Sequence, residues 1–298
     1  MSTTANTDGH MAVCGLGAMG SGLAHRLLSA GLNVRVWNRT PTRTADLVKA
    51  GAVADPTPGQ AVSGASTVFV CVSDDEAAET VLTGPNGVLG SLERNAVVAL
   101  ACTLSPQTVQ ELVERVGVEH VVDVGMLGNA EHARKGELRL YVGGASDTVK
   151  GLSPVLELLA KQVLHVGGTG QGMRLKLVIN LIMGVEMQVM AEATALGIAS
   201  GLDRSLVLEA IAESGFASPV MAFKARRMQT RRYDSPDFRL DLMAKDLRLA
   251  QEQGSAAGLG LPVTSATLAT HQEAVGAGFG AKDCAAIESH LVPAHGEA

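Results

Sequence analysis

The chain of 298 residues is predicted to fold as an α/β domain followed by an all-helical domain. Up to about residue 168, short apolar runs alternate with helical segments, a pattern typical of a parallel sheet covered on both faces. Beyond that point the strand-like runs stop, and only helical patterns follow. We therefore predict a doubly wound parallel sheet in residues 1–168 and a helical domain in residues 169–298.

The apolar runs of the first half predict its strands in chain order. They are MAVCG, NVRVW, STVFVCV, AVVALA and HVVDVG, and ELRLYVGG and QVLHVGG predict two more as an antiparallel extension. Between the first strands lie two helical segments, SGLAHRLLSAG and TPTRTADLVKAG, each of which ends at a glycine. In the second half, helices are predicted at about residues 170–200, 203–214, 218–230, 239–257 and 262–276.

Composition and charge exclude several classes of partner. The net charge is −6 and aromatic residues make up 3%, which argues against nucleic acid and against anionic membrane surfaces. The longest apolar stretch, residues 177–200, is interrupted by Asn180, Glu186, Gln188 and Glu192, so we predict a buried helix and no membrane span.

The cysteines and the first residues bear on localisation. The four cysteines form no CxxC pair, and three of them lie in apolar runs, as buried reduced thiols do. The N-terminus lacks the basic and apolar regions of a signal peptide. We therefore predict a cytoplasmic protein, and no metal site.

A glycine motif follows the first strand and opens the first helix. In a GxGxxG motif the first glycine permits a tight turn, the second lets the backbone approach a pyrophosphate, and the third lets helix and strand pack closely. The N–H groups of the helix N-terminus then face the phosphates. The motif predicts a dinucleotide site of the Rossmann type, formed by Gly15, Leu16, Gly17, Ala18, Met19 and Gly20.

The end of the second strand indicates which dinucleotide binds. An NAD site usually has Asp or Glu there, to accept hydrogen bonds from the ribose hydroxyls. This chain has Asn38, Arg39 and Thr40 instead, which can donate to a 2′-phosphate that an acid would repel. The predicted cofactor is therefore NADP(H).

Several segments together resemble the β-hydroxyacid dehydrogenase family, which includes the 3-hydroxyisobutyrate dehydrogenases. They are GLGAMGSGLAHRLLSAG, CTLSP, VVDVG followed by GELRLYVGG, GTGQGMRLKLVIN and LMAKDLRLA, in the family's order over residues 10–280. 6-Phosphogluconate dehydrogenases and imine reductases are more distant relatives. The resemblance implies a Rossmann domain, a helical domain, a small-molecule substrate and a homodimer or homotetramer.

The resemblance also implies roles for individual residues. Lys176, at the start of the long helix, corresponds to the family's general acid or base, and Asn180, one turn later, to a residue that positions the substrate. Residues four apart share one helix face. The remaining implied contacts are Val72, Ser73, Thr103 and Lys245 with the cofactor and Phe238 with the substrate.

The chain departs from the family in the substrate loop. The family reads Asp-Ala-Pro-Val-Ser-Gly-Gly where this chain has residues 123–129, DVGMLGN. Leu127 offers no donor where the serine would hold a substrate carboxylate, and a buried carboxylate without donors is costly. We therefore predict a larger or less polar substrate. His132 and Arg134 follow the loop, either as a replacement anion contact or simply as exposed residues, and the second alternative is the more common one. The predicted substrate-binding residues are Met126, Leu127, Gly128, Asn129, Lys176, Asn180 and Phe238.

Three functions are compatible with these residues. The first is an NADPH-dependent reductase of a semialdehyde or ketone, or the reverse alcohol oxidation, with Lys176 as general acid or base. The second is an imine reductase acting on a C=N substrate, although imine reductases place Asp or Tyr where Lys176 stands. The third is a non-catalytic NADP-binding scaffold or sensor.

Overall fold

The computed structural model describes residues 9–292. Residues 1–8, on which the prediction about a signal peptide depends, lie outside this range. The chain divides into two compact units, of which the first ends at Lys176 and the second begins at Leu177. The first unit contains a mainly parallel sheet and the second is helical, so the predicted fold class is confirmed.

The sheet of the first unit has eight strands in the order β3-β2-β1-β4-β5-β6-β7-β8. The chain leaves β1 toward β2 and β3 and then returns to β4 on the other side of β1, which makes this the topological switch point where ligands bind in such sheets. The strands are β1 His10–Cys14, β2 Val34–Trp37, β3 Val53–Ala54, β4 Ala65–Val70, β5 Val97–Leu100, β6 Val121–Leu127, β7 Leu138–Gly143 and β8 Ala160–Gly167.

The predicted extension of the sheet forms as expected at one edge. β6 and β7 pair antiparallel, whereas β7 and β8 pair parallel, as do the other neighbouring strands. The helices of this unit are α1 Ala18–Ser29, α2 Ala45–Lys49, α3 Pro58–Val62, α4 Asp75–Thr83, α5 Pro106–Val116, α6 Ala130–Lys135 and α7 Ser146–Leu159. The short strand β3 has no apolar run and is not predicted from the sequence.

Both faces of the sheet are covered, as near-continuous apolar strands require. In β1, Met11 and Val13 belong to the core on one face, and Ala12 and Cys14 to the core on the other. The first core includes residues of α1 and α7, and the second includes residues of α4 and α5.

The second unit follows the predicted helices closely. They are α8 Gln171–Ala199, which begins in the first unit, α9 Arg204–Glu213, α10 Pro219–Thr230, α11 Leu240–Ala256 and α12 Pro262–Ala274. The short helix α13, Ile287–Leu291, is not predicted from the sequence. Asp203 and Ser218 accept hydrogen bonds from Leu206 N and Met221 N, so they are the N-caps of α9 and α10.

Two buried ion pairs connect the helices of this unit to its C-terminal segment. Lys224 Nζ on α10 lies 2.7 Å from Asp283 Oδ1, and Arg204 Nε on α9 lies 2.7 Å from Glu288 Oε1. The Tyr233 hydroxyl also donates to Glu288, at 3.0 Å. Because removing one partner would leave the other charge buried and unpaired, these contacts fix the arrangement of the helices.

Helix α8 is long and apolar on several sides. Its length and composition would allow it to cross a membrane, but the core helices of folded domains can be equally long and apolar. In its most apolar stretch, 39% of the residues are buried in the fold. Its interrupting residues Asn180 and Gln188 are buried in the fold. Four of its exposed apolar residues lie along one face: Val178, Ile182, Val189 and Leu196.

His271 on α12 is fully buried in the helical unit. Its Nδ1 lies 2.9 Å from the carbonyl oxygen of Thr267. Burial lowers the pKa of His271 from 6.5 to about 4, because the imidazolium would have to form without water around it.

This lowered pKa predicts a loss of stability in mild acid. Below pH 6.5 the unfolded chain binds a proton that the folded chain does not bind until about pH 4, so the free energy of unfolding falls across that window. At about 1.4 kcal/mol per pH unit the full effect is roughly 3 kcal/mol. We expect urea midpoints at pH 7 and pH 5 to differ less in His271→Gln than in the wild type, with His290→Gln as control. Equal pH dependence in wild type and His271→Gln would contradict the prediction.

Candidate active site

The predicted cofactor residues of the first unit all follow the carboxyl ends of neighbouring parallel strands. Because β2, β1, β4 and β5 are adjacent and parallel, the segments after them meet at one edge of the sheet, at the switch point. These segments are residues 15–20 after β1, residues 38–40 after β2, Val72 and Ser73 after β4, and Thr103 after β5.

The glycine turn has the geometry that a pyrophosphate site requires. Gly15 has a φ of +99°, and a Cβ there would lie 2.2 Å from Cys71 O. A Cβ on Gly20 would lie 2.0 Å from Gly15 O, so only glycine lets α1 begin this close to β1. A Cβ on Gly17, by contrast, would meet no atom within 4 Å. The open space therefore lies at the N-terminus of α1, where unpaired N–H groups attract an anion.

Asn38 connects this turn to the end of β2. Its Oδ1 accepts a hydrogen bond from Leu16 N at 2.8 Å, and its Nδ2 donates to Thr40 O at 3.0 Å. Asn38 thus shapes the loop, whereas the side chains of Arg39 and Thr40 are exposed and take no part in these two hydrogen bonds. Of the three predicted donors, Arg39 and Thr40 are the ones available to a 2′-phosphate.

The residues after β4 and β5 lie at the same edge of the sheet as the glycine turn. Ser73 is exposed and its hydroxyl donates to Asp74, the N-cap of α4, at 2.6 Å. Val72 and Thr103 are half-buried. The edge thus presents a mixed polar and apolar surface, as cofactor sites usually do.

The first turn of α8 is fixed by a buried carboxylate on β6. Asp123 is fully buried, and its two oxygens accept hydrogen bonds from Gly170 N at 2.5 Å and Met173 N at 2.6 Å. Burial raises the pKa of Asp123, and the backbone N–H donors partly offset that rise. Asp123 therefore satisfies N–H groups that the start of a helix leaves without partners.

Glycines let α8 approach the sheet at this point. A Cβ on Gly172 would lie 2.5 Å from Tyr141 O, and one on Gly143 would lie 2.3 Å from Asp123 Oδ1. A Cβ on Gly125 would lie 3.0 Å from the Cβ of Lys176. Lys176 thus stands directly over β6, half-buried, in the first unit.

The predicted substrate loop at the end of β6 uses its polar groups to begin the next helix, α6. Asn129 is the N-cap of α6, and its Oδ1 accepts from Glu131 N and His132 N, both at 3.1 Å. The Asn129 N–H in turn donates to His132 Nδ1 at 3.2 Å. Gly128 has a φ of +133°, Met126 packs against the core, and Leu127 is half-buried.

In the helical unit one buried carboxylate orients two of the predicted residues. Asp246 Oδ2 accepts a hydrogen bond from Asn180 Nδ2 at 2.5 Å, and Asp246 Oδ1 lies 3.1 Å from Lys245 Nζ. The Asn180 Oδ1 is buried and accepts no hydrogen bond from the part of the chain that the structure describes, so it can accept one from a ligand. Phe238 is half-buried beside the helical core.

Asp123 and Asp246 are not among the predicted site residues. A signal for both was present in the sequence, because each is an acid inside a regular apolar pattern, and such a charge is rarely buried without a partner. Within residues 9–292 no group of three or more His, Cys, Asp or Glu side chains is placed to hold a metal ion.

Comparison with known families agrees with this geometry. Residues 10–167 match the NAD-binding domain of 6-phosphogluconate dehydrogenase, and residues 170–291 match the NAD-binding domain of NADP-dependent 3-hydroxyisobutyrate dehydrogenase. The chain belongs to the β-hydroxyacid dehydrogenase family. It is therefore an NAD(P)-binding oxidoreductase of that type, as the sequence motifs predict.

Individual relatives align over most of the chain. The 2-(hydroxymethyl)glutarate dehydrogenase of Eubacterium barkeri is 30% identical over 92% of this chain and 91% of its own. The 3-hydroxyisobutyrate dehydrogenase of Salmonella typhimurium is 25% identical, covers 95% of this chain and all of its own, and superposes with a TM-score of 0.85. Psf3, solved with NADP+ and 2-OPP, is 26% identical over 94% of this chain and 99% of its own, with a TM-score of 0.84.

Two other matches concern the alternative functions. An imine reductase from Pseudomonas is 22% identical over 94% of this chain and 98% of its own, with a TM-score of 0.60, which shows a shared fold only. Human N-PAC, a cytokine-like nuclear factor, is 29% identical over 90% of this chain, which spans about half (49%) of its length.

The hydrogen bonds of Asp123 predict its effect on stability. Asp123→Ala would leave the N–H groups of Gly170 and Met173 buried without an acceptor, which we expect to cost about 2–4 kcal/mol. The free energy of unfolding from urea titration measures this loss. The control is Asp147→Ala, at a fully exposed acid of α7, with a change below about 0.5 kcal/mol. Equal stabilities of the two variants would contradict the assigned role.

Proposed function

We propose that this protein is an NADPH-dependent reductase of a semialdehyde or ketone, with Lys176 as the general acid. The placement of Lys176 carries the proposal. Asp123 and Gly125 bring it over β6, whose end belongs to the same carboxyl edge of the sheet as the glycine turn. A proton donor and a dinucleotide site at one edge are what a carbonyl reduction needs.

The residues at this edge fit the phosphates of NADP(H). The open space at Gly17 is where a pyrophosphate would be held by the N-terminus of α1, and Arg39 and Thr40 are exposed donors for a 2′-phosphate. No acid takes part in the loop after β2. The NADP+ bound by the similar protein Psf3 supports the same preference.

The reaction needs a hydride at the carbonyl carbon and a proton at its oxygen. Bound NADPH supplies the hydride. The Lys176 ammonium donates the proton to the oxygen as negative charge develops there, and in the reverse direction its neutral amine accepts the hydroxyl proton. The Asn180 Oδ1 offers an acceptor to a ligand, because Asp246 holds the Nδ2 of the same amide.

The presence of lysine favours carbonyl chemistry over the two alternatives. An imine reductase needs no lysine at this position, and a scaffold or sensor needs no proton donor at all. NADPH-oxidation assays over semialdehydes, keto acids and cyclic imines separate the three functions. Turnover of cyclic imines alone would support the imine reductase, and tight NADPH binding without any turnover would support the sensor.

Replacing Lys176 tests the proton-donor role. We expect Lys176→Ala to lower kcat for the best carbonyl substrate by roughly 10²–10⁴-fold, because general acid catalysis contributes about that much. NADPH binding, measured by fluorescence titration, should change less than about threefold, since the cofactor phosphates are held by other residues. The matched control is Arg174→Ala, an exposed cation on the same turn of α8, with kcat unchanged. Undiminished turnover in Lys176→Ala would refute the role.

Reversing the charge at Arg39 tests the cofactor preference. We expect Arg39→Asp to lower the ratio of kcat/KM for NADPH over NADH by about 10–100-fold, because a charge-assisted hydrogen bond of about 1.5–3 kcal/mol is replaced by repulsion. The control is Lys49→Asp, an exposed charge reversal on α2. The same ratio in Arg39→Asp and the wild type would show that Arg39 does not select the cofactor.

A further inference from the structure

The strand beside the substrate loop carries a cation that the sequence motifs do not assign. Arg139 lies on β7, directly across from Leu127 on β6 in the antiparallel register. Directly opposed residues of two paired strands point to the same face of a sheet. Arg139 and Leu127 therefore share a face.

That face is the one on which Lys176 lies. Side chains alternate along a strand, so Asp123, Gly125 and Leu127 project to one side of β6. Asp123 bonds the start of α8 on that side, and Gly125 lies against the backbone and Cβ of α8 at Lys176. Leu127 is the next position along the same line, immediately beyond Lys176.

The register places Arg139 within reach of a substrate at Lys176. Gly125 is paired with Tyr141, and Arg139 is the diagonal neighbour two positions away, at about 7–8 Å. An arginine side chain spans most of that distance. This face of the sheet therefore carries, side by side, the proposed proton donor Lys176, the apolar side chain of Leu127 and the guanidinium of Arg139.

Arg139 is exposed, and within residues 9–292 we find no carboxylate paired with its guanidinium. Its partner across the other strand pair is the neutral Gln162 of β8. The one acid among the strand positions of this face is Asp123, which is buried and bonded to α8.

The substrate loop does not supply the anion contacts that its family usually has there. Leu127 has no donor, and both the N–H and the Oδ1 of Asn129 are bonded within the cap of α6. His132 takes part in the same cap, and Arg134 is an exposed residue of α6 outside the strand face. Arg139 is the cation that the sheet itself aligns with Lys176.

We propose that Arg139, in place of the loop donors that its family uses, binds the carboxylate of the carbonyl substrate. This inference rests on the proposed role of Lys176. Leu127 then packs against the carbon chain between the two polar ends. The carboxylate is farther from the reacting carbon than in a simple 3-hydroxy acid, because it is held one strand away from the family's loop.

The test compares a charged aldehyde with a neutral one of the same length. 4-Oxobutanoate and butanal are reduced with NADPH by the wild type, Arg139→Gln, Arg139→Lys and the control Lys150→Gln, at an exposed cation of α7. We expect Arg139→Gln to lower kcat/KM for 4-oxobutanoate by 10–100-fold, mainly through KM, and to change butanal less than about threefold. Arg139→Lys should recover part of the loss, and Lys150→Gln should resemble the wild type. An unchanged ratio of the two substrates in Arg139→Gln would overturn the inference.

A binding experiment separates this inference from the proposed function. 4-Hydroxybutanoate is titrated calorimetrically into protein saturated with NADPH, a pair that cannot react. We expect binding in the wild type and in Lys176→Ala, and a loss of at least tenfold in affinity in Arg139→Gln. If no carbonyl compound is reduced but this pattern holds, the reductase proposal fails and the anion site stands. Absent binding, or binding equal in Arg139→Gln and wild type, would overturn the anion site.

Discussion

The carboxylate of Asp123 at the start of α8 is the contact on which the candidate site depends. It is fully buried, so its charge is tolerated only because backbone N–H groups surround it, and those N–H groups would otherwise lack partners at the helix terminus. A buried carboxylate without donors, or buried N–H groups without an acceptor, would each destabilise the fold. The contact therefore fixes where α8 begins, and with it the position of Lys176 one turn later.

The glycines near this contact have a shared physical purpose. Gly143 and Gly172 leave no room for a Cβ beside Asp123, and Gly125 leaves little room for one beside Lys176. The sheet and the helix can then approach backbone to backbone. In the glycine turn after β1 the same principle serves a ligand instead, because Gly17 faces open space at the N-terminus of α1.

The helical unit repeats the use of a buried acid to orient functional groups. Asp246 holds the amide of Asn180 in one orientation and pairs with Lys245, so two residues implied by the family resemblance depend on a third. A hydrogen bond to a buried carboxylate is stronger than one to a neutral group. Such partners keep polar residues in place before any ligand arrives, which is what preorganised sites require.

The sequence by itself determined the fold class, seven of the eight strands, helices α1, α2 and α8 to α12, and the glycine turn after β1. These follow from local rules: apolar periodicity, capping residues such as Asp203, and glycines such as Gly15 where a side chain cannot fit. The short strand β3 escaped these rules because two exposed residues carry no periodicity. The sequence shows only that the residues after β2 are of types that can donate hydrogen bonds. The structure adds that Asn38 shapes the loop, whereas Arg39 is exposed.

Only the tertiary structure decided how the site is assembled. Asp123 and Met173 are 50 residues apart in the chain, and Asn180 and Asp246 are 66 apart, so no local pattern predicts either hydrogen bond. Strand register decides which residues of neighbouring strands lie on the same face of the sheet, and no local pattern predicts it. The pairing of Leu127 with Arg139 is such a case: a shift of one residue would turn the arginine to the opposite side of the sheet.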